Sequence, residues 1–516
     1  MSGHLKAFIA ILVLGTIAIL GYKFALPMIR DATQRETSDA AATRGKLTIG
    51  VDNWVGYFPL CSAETARRVR AEGYALRCDD DKADYAARMK RLAEGELDFA
   101  VATVDSYVLN GAALDFPGAI IAVLDESKGG DAIVARRTAV PNLDALKAQP
   151  DVRIAFTPRS PSEHLLKSVA AHFDLPQLQQ RGAWRIEADG SPDALRKLQA
   201  GEADVAVLWE PDVSRALADP AYVKLIGSDD TEKLIVDVLL ASRRTVQEQP
   251  EAVGVLLAQY FQALKTYGES PGRLRADVAS AGHLDDAQVD AMLAGVQWAT
   301  LNENGALWFG VTPSGLPRDE GLVEAIQGAV EVLVAAGDFA QSPLPDGDPY
   351  RLTNRQFIAA LYLAQPDVAA SAGDARDGLA RRFAALDDAG WERLKEVGTL
   401  RIEPIAFARG TATLGEDSRG ALNALAERLA HYPNYRVVIK GHTGLGGDAT
   451  ANVELSKRRA EAVADYFTNT FDIDPNRLRG LGYGPSHPLP RLAGESDRAY
   501  AYRLPRVELT LVSERF

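Results

Sequence analysis

The sequence predicts an α/β protein in three parts behind one apolar N-terminal helix. These are a two-lobed unit over residues 46–270, a helical stretch over 271–395 and a β-α-β-α-β layer sandwich over 396–516. Three observations carry this. From Lys46 onward, short apolar runs alternate with helical patterns, as in a mostly parallel sheet. The pattern L-x-x-G-E-x-D-x-A occurs twice, at Leu92–Ala100 and Leu198–Ala206, so two similar lobes with a cleft between them are expected. The last third alternates strand and helix again, closing on an apolar strand at Arg506–Val512.

The elements follow in chain order. Phe8–Leu20 is apolar apart from Gly15 and Thr16, and the character continues through Phe24–Ile29. Together these approach the roughly 20 residues that cross a bilayer. No small-x-small cleavage site follows directly, so residues 1–30 read as an uncleaved signal anchor rather than a cleaved signal peptide. No Asp or Glu lies between Lys6 and Arg30, which argues against a proton-driven subunit unless a multi-span membrane partner supplies the acid. Residues 31–45 are small, polar and charged, as suits a tether.

Leu47–Val51 reads as the first buried strand, followed by a helix at Ser62–Glu72 and a strand at Tyr74–Arg77. A helix over Tyr85–Glu94 stops at Gly95, and Leu97–Ala102 is the next strand. The second lobe repeats the design with strand Val152–Phe156, helix Ser162–His172, a helix ending at Gly201 and strand Ala203–Leu208. Residues 250–394 carry apolar spacing near 3.6, as at Val255, Leu256, Tyr260, Leu264 and Tyr267. In the last part, strand Thr399–Phe407, helix Asp417–His431, strand Tyr435–Lys440 and helix Asn452–Thr468 precede a Gly-rich turn at Gly482-Tyr483-Gly484 and the closing strand.

The chain has 516 residues, a formal charge of −13 and a pI near 5.2. It shows no basic stripe for nucleic acid. It has no Gly-x-Ser-x-Gly elbow, phosphate loop or HExxH, and its histidines are scattered, so neither an enzyme nor a bound cofactor or metal is expected. The two cysteines lie outside any metal-binding spacing. Cys61 is placed at the start of a helix and Cys78 at the end of the second strand, at one edge of a parallel βαβ unit. A disulfide is expected in an oxidising compartment, two buried thiols otherwise.

Several stretches of the two-lobed part resemble the periplasmic solute-binding proteins of the nitrate, sulfonate, taurine and thiamine-precursor class. They are Glu94–Ser106, Gly129–Ala135, Ala155–Glu163 and Trp209-Glu210-Pro211. The resemblance implies a type II-like binding-protein fold whose lobes close on a small polar, often anionic, ligand. It places the crossings near Arg136–Val140 and Leu234–Leu239. Lobe one is then about 46–136 and 236–270, and lobe two about 137–235. Ligands in such sheets bind beyond the carboxyl ends of strands, which selects Trp54, Thr103, Asp105, Ser160, Ser162, Trp209 and Glu210. Ser160 and Ser162 open a helix, where an anion is favoured, or they simply cap it. Trp54 is the alternative of a core residue, and Asp131 reads as a turn former after Gly129-Gly130. Asp105 and Glu210 would repel an anion, which leaves a zwitterion or a cationic amine open alongside a sulfonate.

The run Val438-Ile439-Lys440-Gly441-His442-Thr443, the helix segment Leu455–Ala460, Gly482-Tyr483-Gly484 and Arg506-Val507-Glu508 resemble the OmpA C-terminal-like domain. The resemblance implies peptidoglycan binding. In that family an aspartate after Gly-His-Thr takes the diaminopimelate ammonium, and an arginine on the next helix takes its carboxylate in a fork. Arg459 matches the arginine and Asn452 a polar position opening the helix, while Thr443 and Arg506 complete the candidate set. Gly444 stands where the aspartate belongs, and Asp448 is the nearest substitute. Arg506 follows Leu504-Pro505 where the family has Asn-Arg-Arg-Val. Both resemblances place the bulk of the chain in the periplasm of a Gram-negative bacterium, held by one inner-membrane span. The implied function is solute sensing or capture; the alternative is a structural or stator-like subunit with no small ligand.

Overall fold

The computed structural model describes residues 43–513 except 148, 150, 174, 180–181, 312–319, 365–381, 403–404, 406 and 409. The expected membrane segment (1–30) and nearly all of the tether lie outside the described residues. Among the described residues no helix is long and apolar enough to cross a membrane.

Lobe one begins with β1 (Gly45–Val51), β2 (Tyr74–Asp80), β3 (Phe99–Thr103) and β4 (Gly118–Ser127). Lobe two holds β5 (Asp131–Arg136), β6 (Ile154–Phe156), β7 (Arg185–Glu187), β8 (Val205–Trp209) and β9 (Tyr222–Gly227). The chain then returns to lobe one as β10 (Val236–Ser242) and β11 (Val296–Trp298). The sheet orders are β2-β1-β3-β10-β4-β11 and β7-β6-β8-β5-β9. The lobes share one plan: the strand that has just crossed from the other lobe, β10 or β5, takes the fourth place. It runs antiparallel to its neighbours there.

The repeated motif does the same work twice. Gly95 and Gly201 end their helices in left-handed conformation. The aspartate that follows pins the adjoining parallel strand: Thr48 N–H donates to Asp98 Oδ2 at 2.9 Å, and Arg153 N–H to Asp204 Oδ2 at 3.1 Å.

The crossings differ from expectation at one end. The first is 128–130, because β5 already belongs to lobe two, so Lys128-Gly129-Gly130 and not Arg136–Val140 links the lobes. Two apolar strands flank this glycine pair, and the sequence reads as one run into lobe two. The second crossing is 228–235. Ser228 stitches the two together, accepting from Gly129 N–H at 2.9 Å and Asp131 N–H at 3.1 Å and meeting Ser127 Oγ at 2.8 Å.

The described residues of 271–363 are no separate extension. Trp308, Leu322, Ile326, Leu333, Phe357 and Tyr362 are buried in the same core as Leu47, Val101 and Leu240 of lobe one. The buried face of helix Gly321–Ala335 covers the helix Val104–Gly111. Short-range periodicity marks these as amphipathic helices but carries no address for their apolar faces.

Cys61 and Cys78 are bonded, with Cα atoms 6.1 Å apart. Cys61 closes a short helix, Phe58–Cys61, rather than opening one, since Ser62 caps the helix Ala63–Ala71. Cys78 lies inside β2, which continues to Asp80.

The C-terminal unit contains β12 (Lys395–Leu400), β13 (Arg436–His442), β14 (Leu478–Gly484) and β15 (Arg506–Ser513), in the order β12-β15-β13-β14. Its first strand ends at Leu400 rather than Phe407, and the expected turn at Gly482-Tyr483-Gly484 is part of a fourth strand, β14. The glycines serve a close approach of strand and helix. A Cβ on Gly441 would lie 2.1 Å from Ser456 O, and one on Gly482 2.5 Å from Val453 O, so the helix Ala449–Phe471 rests on bare backbone. This unit shares a continuous core with lobe two: Leu143, Val169 and Phe173 join Val397, Leu400 and Tyr432.

Candidate functional site

Where the lobes meet, residues of both surround a small cavity. Asp52, Trp54, Tyr57, Tyr85, Thr103 and Asp237 come from lobe one. Asp131, Ser160, Pro161 and Trp209 come from lobe two. About 40 Å³ is free, room for a few waters, so a larger solute enters only if the lobes part about the two crossings.

Each side chain is held by its element. Trp54 follows β1, and its Nε1–H donates to Asp125 Oδ1 at 3.0 Å. Its ring lies against the first crossing, where a Cβ on Gly130 would stand 2.2 Å from it. The Tyr57 hydroxyl donates a short hydrogen bond to Asp237 on β10. Asp131 accepts from Ser127 Oγ at 2.7 Å. Asp52 is paired with the buried Arg88 at 2.9 Å, and Arg88 also binds Asp81 and donates to Val101 O at 2.8 Å.

The electrostatics are one-sided. Burial lifts the Asp131 carboxyl to about 7, with the charges of Asp105 and Glu210 adding to the rise against the Ser127 hydrogen bond. Burial raises Asp125 and Asp237 as well; the charge of Asp125 adds to the rise at Asp237, while hydrogen bonding from Trp54 and Asp237 opposes the rise at Asp125.

Of the residues selected from sequence, Trp54, Thr103, Ser160 and Trp209 line the cavity. Ser160 does not cap its helix; its hydroxyl donates to Thr157 O at 2.7 Å. Ser162 and Asp105 are buried behind the wall, and Ser162 Oγ and Asp105 Oδ1 have no hydrogen-bond partner. Glu210 turns away to its own helix, accepting from Ser214 N–H at 3.1 Å and Ser214 Oγ at 2.8 Å. Asp131 is a buried strand residue of the cavity, not a turn former. Asp52, Tyr57, Tyr85 and Asp237 were not selected. Their signal is a lone carboxylate in an apolar run, as in Val236-Asp237-Val238-Leu239-Leu240, where an unpaired acid is costly.

The C-terminal unit has a groove of its own, lined by Thr443, Gly444, Asn452, Arg459, Glu495 and Arg498 among others. Arg459 lies over the Phe407 ring at 5.0 Å and donates from Nε to Thr411 O at 3.0 Å. Asn452 Nδ2 donates to Gly446 O at 2.9 Å. Asp448 lies outside the lining and caps the helix, accepting from Ala451 N–H at 2.7 Å. Arg506 is turned to Glu508 at 2.7 Å and to His487 O. The carboxylate that does reach the groove, Glu495, is forked by Arg503 at 2.6 and 2.8 Å.

Residues 406–501 match the OmpA family. They form an OmpA domain. The chain is 29% identical over 119 residues to outer membrane porin F of Pseudomonas aeruginosa, covering 23% of this chain and 34% of that protein. It is 34% identical over 85 residues to the peptidoglycan-associated lipoprotein of Rhizobium meliloti, covering 16% and 48%. The chain thus spans a third to a half of the length of these relatives. The lobes are similar to the alkanesulfonate-binding protein SsuA from Xanthomonas axonopodis pv. citri bound to MOPS. There the TM-score is 0.47 at 19% identity, over 61% of this chain and 100% of that one.

Proposed function

We propose that this chain is a binding protein of the bacterial envelope: its lobes close on a small polar solute, its OmpA domain docks on peptidoglycan, and residues 1–30 anchor it in the inner membrane with the bulk in the periplasm. The observation that carries the first part is the cavity at the lobe junction, walled by residues from both lobes and bordered by both crossings. Such a site couples occupancy to lobe angle, because a solute touching both walls favours the closed arrangement. Thermal shift of the full-length protein against sulfonates, nitrate, amines and pyrimidines tests it. A rise with one class, lost in Trp54→Ala, supports the reading; no response to any class refutes it.

For the wall domain, Thr443, Asn452 and Arg459 share one groove, and Arg459 is the group to take a peptide carboxylate. Retention on purified sacculi is expected to fall in Arg459→Ala, and equal retention would remove that role. A second reading of this domain, as a docking module without wall affinity, is favoured by one observation. Gly444 supplies no carboxylate, and the groove's Glu495 is already paired. For the anchor, the chain is expected in the membrane fraction and a chain lacking residues 1–30 in the soluble one.

A further inference from the structure

The chemistry of the cavity wall indicates what kind of solute fits. Its lining carries three carboxylates, Asp52, Asp131 and Asp237, and no Lys, Arg or His. Behind the wall, the Arg88 guanidinium is fully buried and already engaged by Asp52, Asp81 and Val101 O. A sulfonate or nitrate needs cationic or N–H donors aimed at its oxygens. The feature best placed to supply them is the start of helix Pro161–His172, and it is poorly equipped. Pro161 has no N–H, and the Arg159 N–H is already taken by Glu163 at 2.6 Å.

Negative charge also exceeds what the wall needs for itself. Asp105 and Asp125 are buried behind it, and Asp105 Oδ1 and Asp125 Oδ2 have no hydrogen-bond partner. Among the described residues no cation lies within ion-pair distance of Asp105, Asp125, Asp131 or Asp237. The rest of the wall is aromatic: Trp54, Tyr57, Tyr85 and Trp209. Aromatic faces attract ammonium groups through the ring quadrupole, most strongly where water is excluded.

We propose that the cleft takes a small organic cation, an amine or quaternary ammonium compound, whose charge meets Asp131 and Asp237 and whose alkyl surface lies between Trp54 and Trp209. This rests on the cleft being the ligand site. The acids that are costly in the empty cleft then become the source of affinity, since a bound cation supplies the missing counter-charge. A divalent metal fits less well: the described residues contain no group of three or more His, Cys, Asp or Glu arranged to hold one.

The test is titration calorimetry of the full-length protein with tetramethylammonium, 1,4-diaminobutane, ethanesulfonate, nitrate and Zn²⁺ at one ionic strength. At least one ammonium probe is expected to bind, with affinity at least tenfold weaker in Asp131→Asn and in Trp54→Ala, and the two anions are expected to give no heat. Thermal melting of ligand-free Asp131→Asn is the folding control, and its midpoint is expected at or above that of the parent. Binding of ethanesulfonate or nitrate that is lost in Trp54→Ala overturns the cation but leaves the cleft as a ligand site. Zn²⁺ binding lost in Asp131→Asn without any ammonium binding overturns the organic cation in favour of a metal. No heat from any probe overturns both this proposal and the binding-protein reading.

Discussion

Replacing Asp131 by Asn is expected to stabilise the ligand-free protein at neutral pH and to destabilise it in acid. The side chain is buried in β5 and its carboxyl is raised from 3.8 to about 7, chiefly by burial. Below pH 3.8 the acid is protonated in the folded and unfolded chains alike and costs nothing. Between 3.8 and about 7 the unfolded chain ionises first, so the cost grows with pH; above 7 it is constant. That interval of roughly 3 pH units, at about 1.36 kcal/mol each, sets a ceiling of about 4 kcal/mol. An amide keeps an oxygen for the Ser127 hydroxyl but leaves a buried NH₂ in need of a partner, at about 1–3 kcal/mol. The net expectation is a gain of about 1–3 kcal/mol at pH 8 and a loss of about 0.5–2.5 kcal/mol near pH 4. Urea unfolding at both pH values, followed through the first transition, measures it. A variant less stable than the parent at pH 8, or a change of equal size and sign at both pH values, would refute the reasoning.

Other outcomes are expected together. Gly441→Ala should cost about 2–3 kcal/mol, because its Cβ meets Ser456 O at 2.1 Å. Gly444→Ala, with nothing within 4 Å, should stay within about 0.5 kcal/mol, and melting of the two variants decides this. The same open space admits Gly444→Asp, which should increase retention on sacculi by supplying an ammonium acceptor beside Arg459; unchanged retention would count against the clamp. Reducing Cys61–Cys78, separated by 17 residues, should cost about 3 kcal/mol, read as a lower melting midpoint in reductant. His172 and His431 stack at 5.9 Å, and both are depressed, chiefly by burial. Their neutral forms fit the folded state, so stability is intact above pH 6.5 and is lost as pH falls below it. Hydrogen exchange of Tyr432–Asn434 should therefore accelerate between pH 7 and 5, and less so in His172→Phe.

Much of this architecture was legible in the residues. The twin L-x-x-G-E-x-D-x-A motif announced two lobes because each step in it has a local cause: an apolar helix face, a left-handed stop and an aspartate hooking the next strand. Trp54, Thr103, Ser160 and Trp209 were found by the strand-end rule, which depends on sheet geometry alone. What stayed hidden was non-local. The fourth-place strands β5 and β10 are apolar runs like any other, so the point where the chain changes lobe carries no periodic signal. Asp131 and Asp237 become cavity residues only when their strands are seated beside β8 and β3. In the OmpA domain, Gly482 and Gly484 read as a turn because glycine usually breaks strands; beneath a helix they are what a strand needs.

The junction of lobe two with the OmpA domain has a mechanical corollary. The two share apolar packing, Thr399 N–H donates to Asp144 Oδ1 at 3.2 Å, and Arg401 N–H to His172 O at 2.6 Å. The loop at His431 grips the second crossing itself: Glu232 N–H donates to His431 O at 2.8 Å, and His431 Nδ1 lies 2.8 Å from Glu232 O. On the other side, Glu331 of the helix Gly321–Ala335 is raised chiefly by burial, with the charge of Glu427 adding to the rise and that of Arg428 opposing it. The OmpA domain is thus keyed to lobe two and to the second crossing at once. Any change of angle between the lobes would carry this domain along with lobe two, so whatever holds the domain would also restrain that angle.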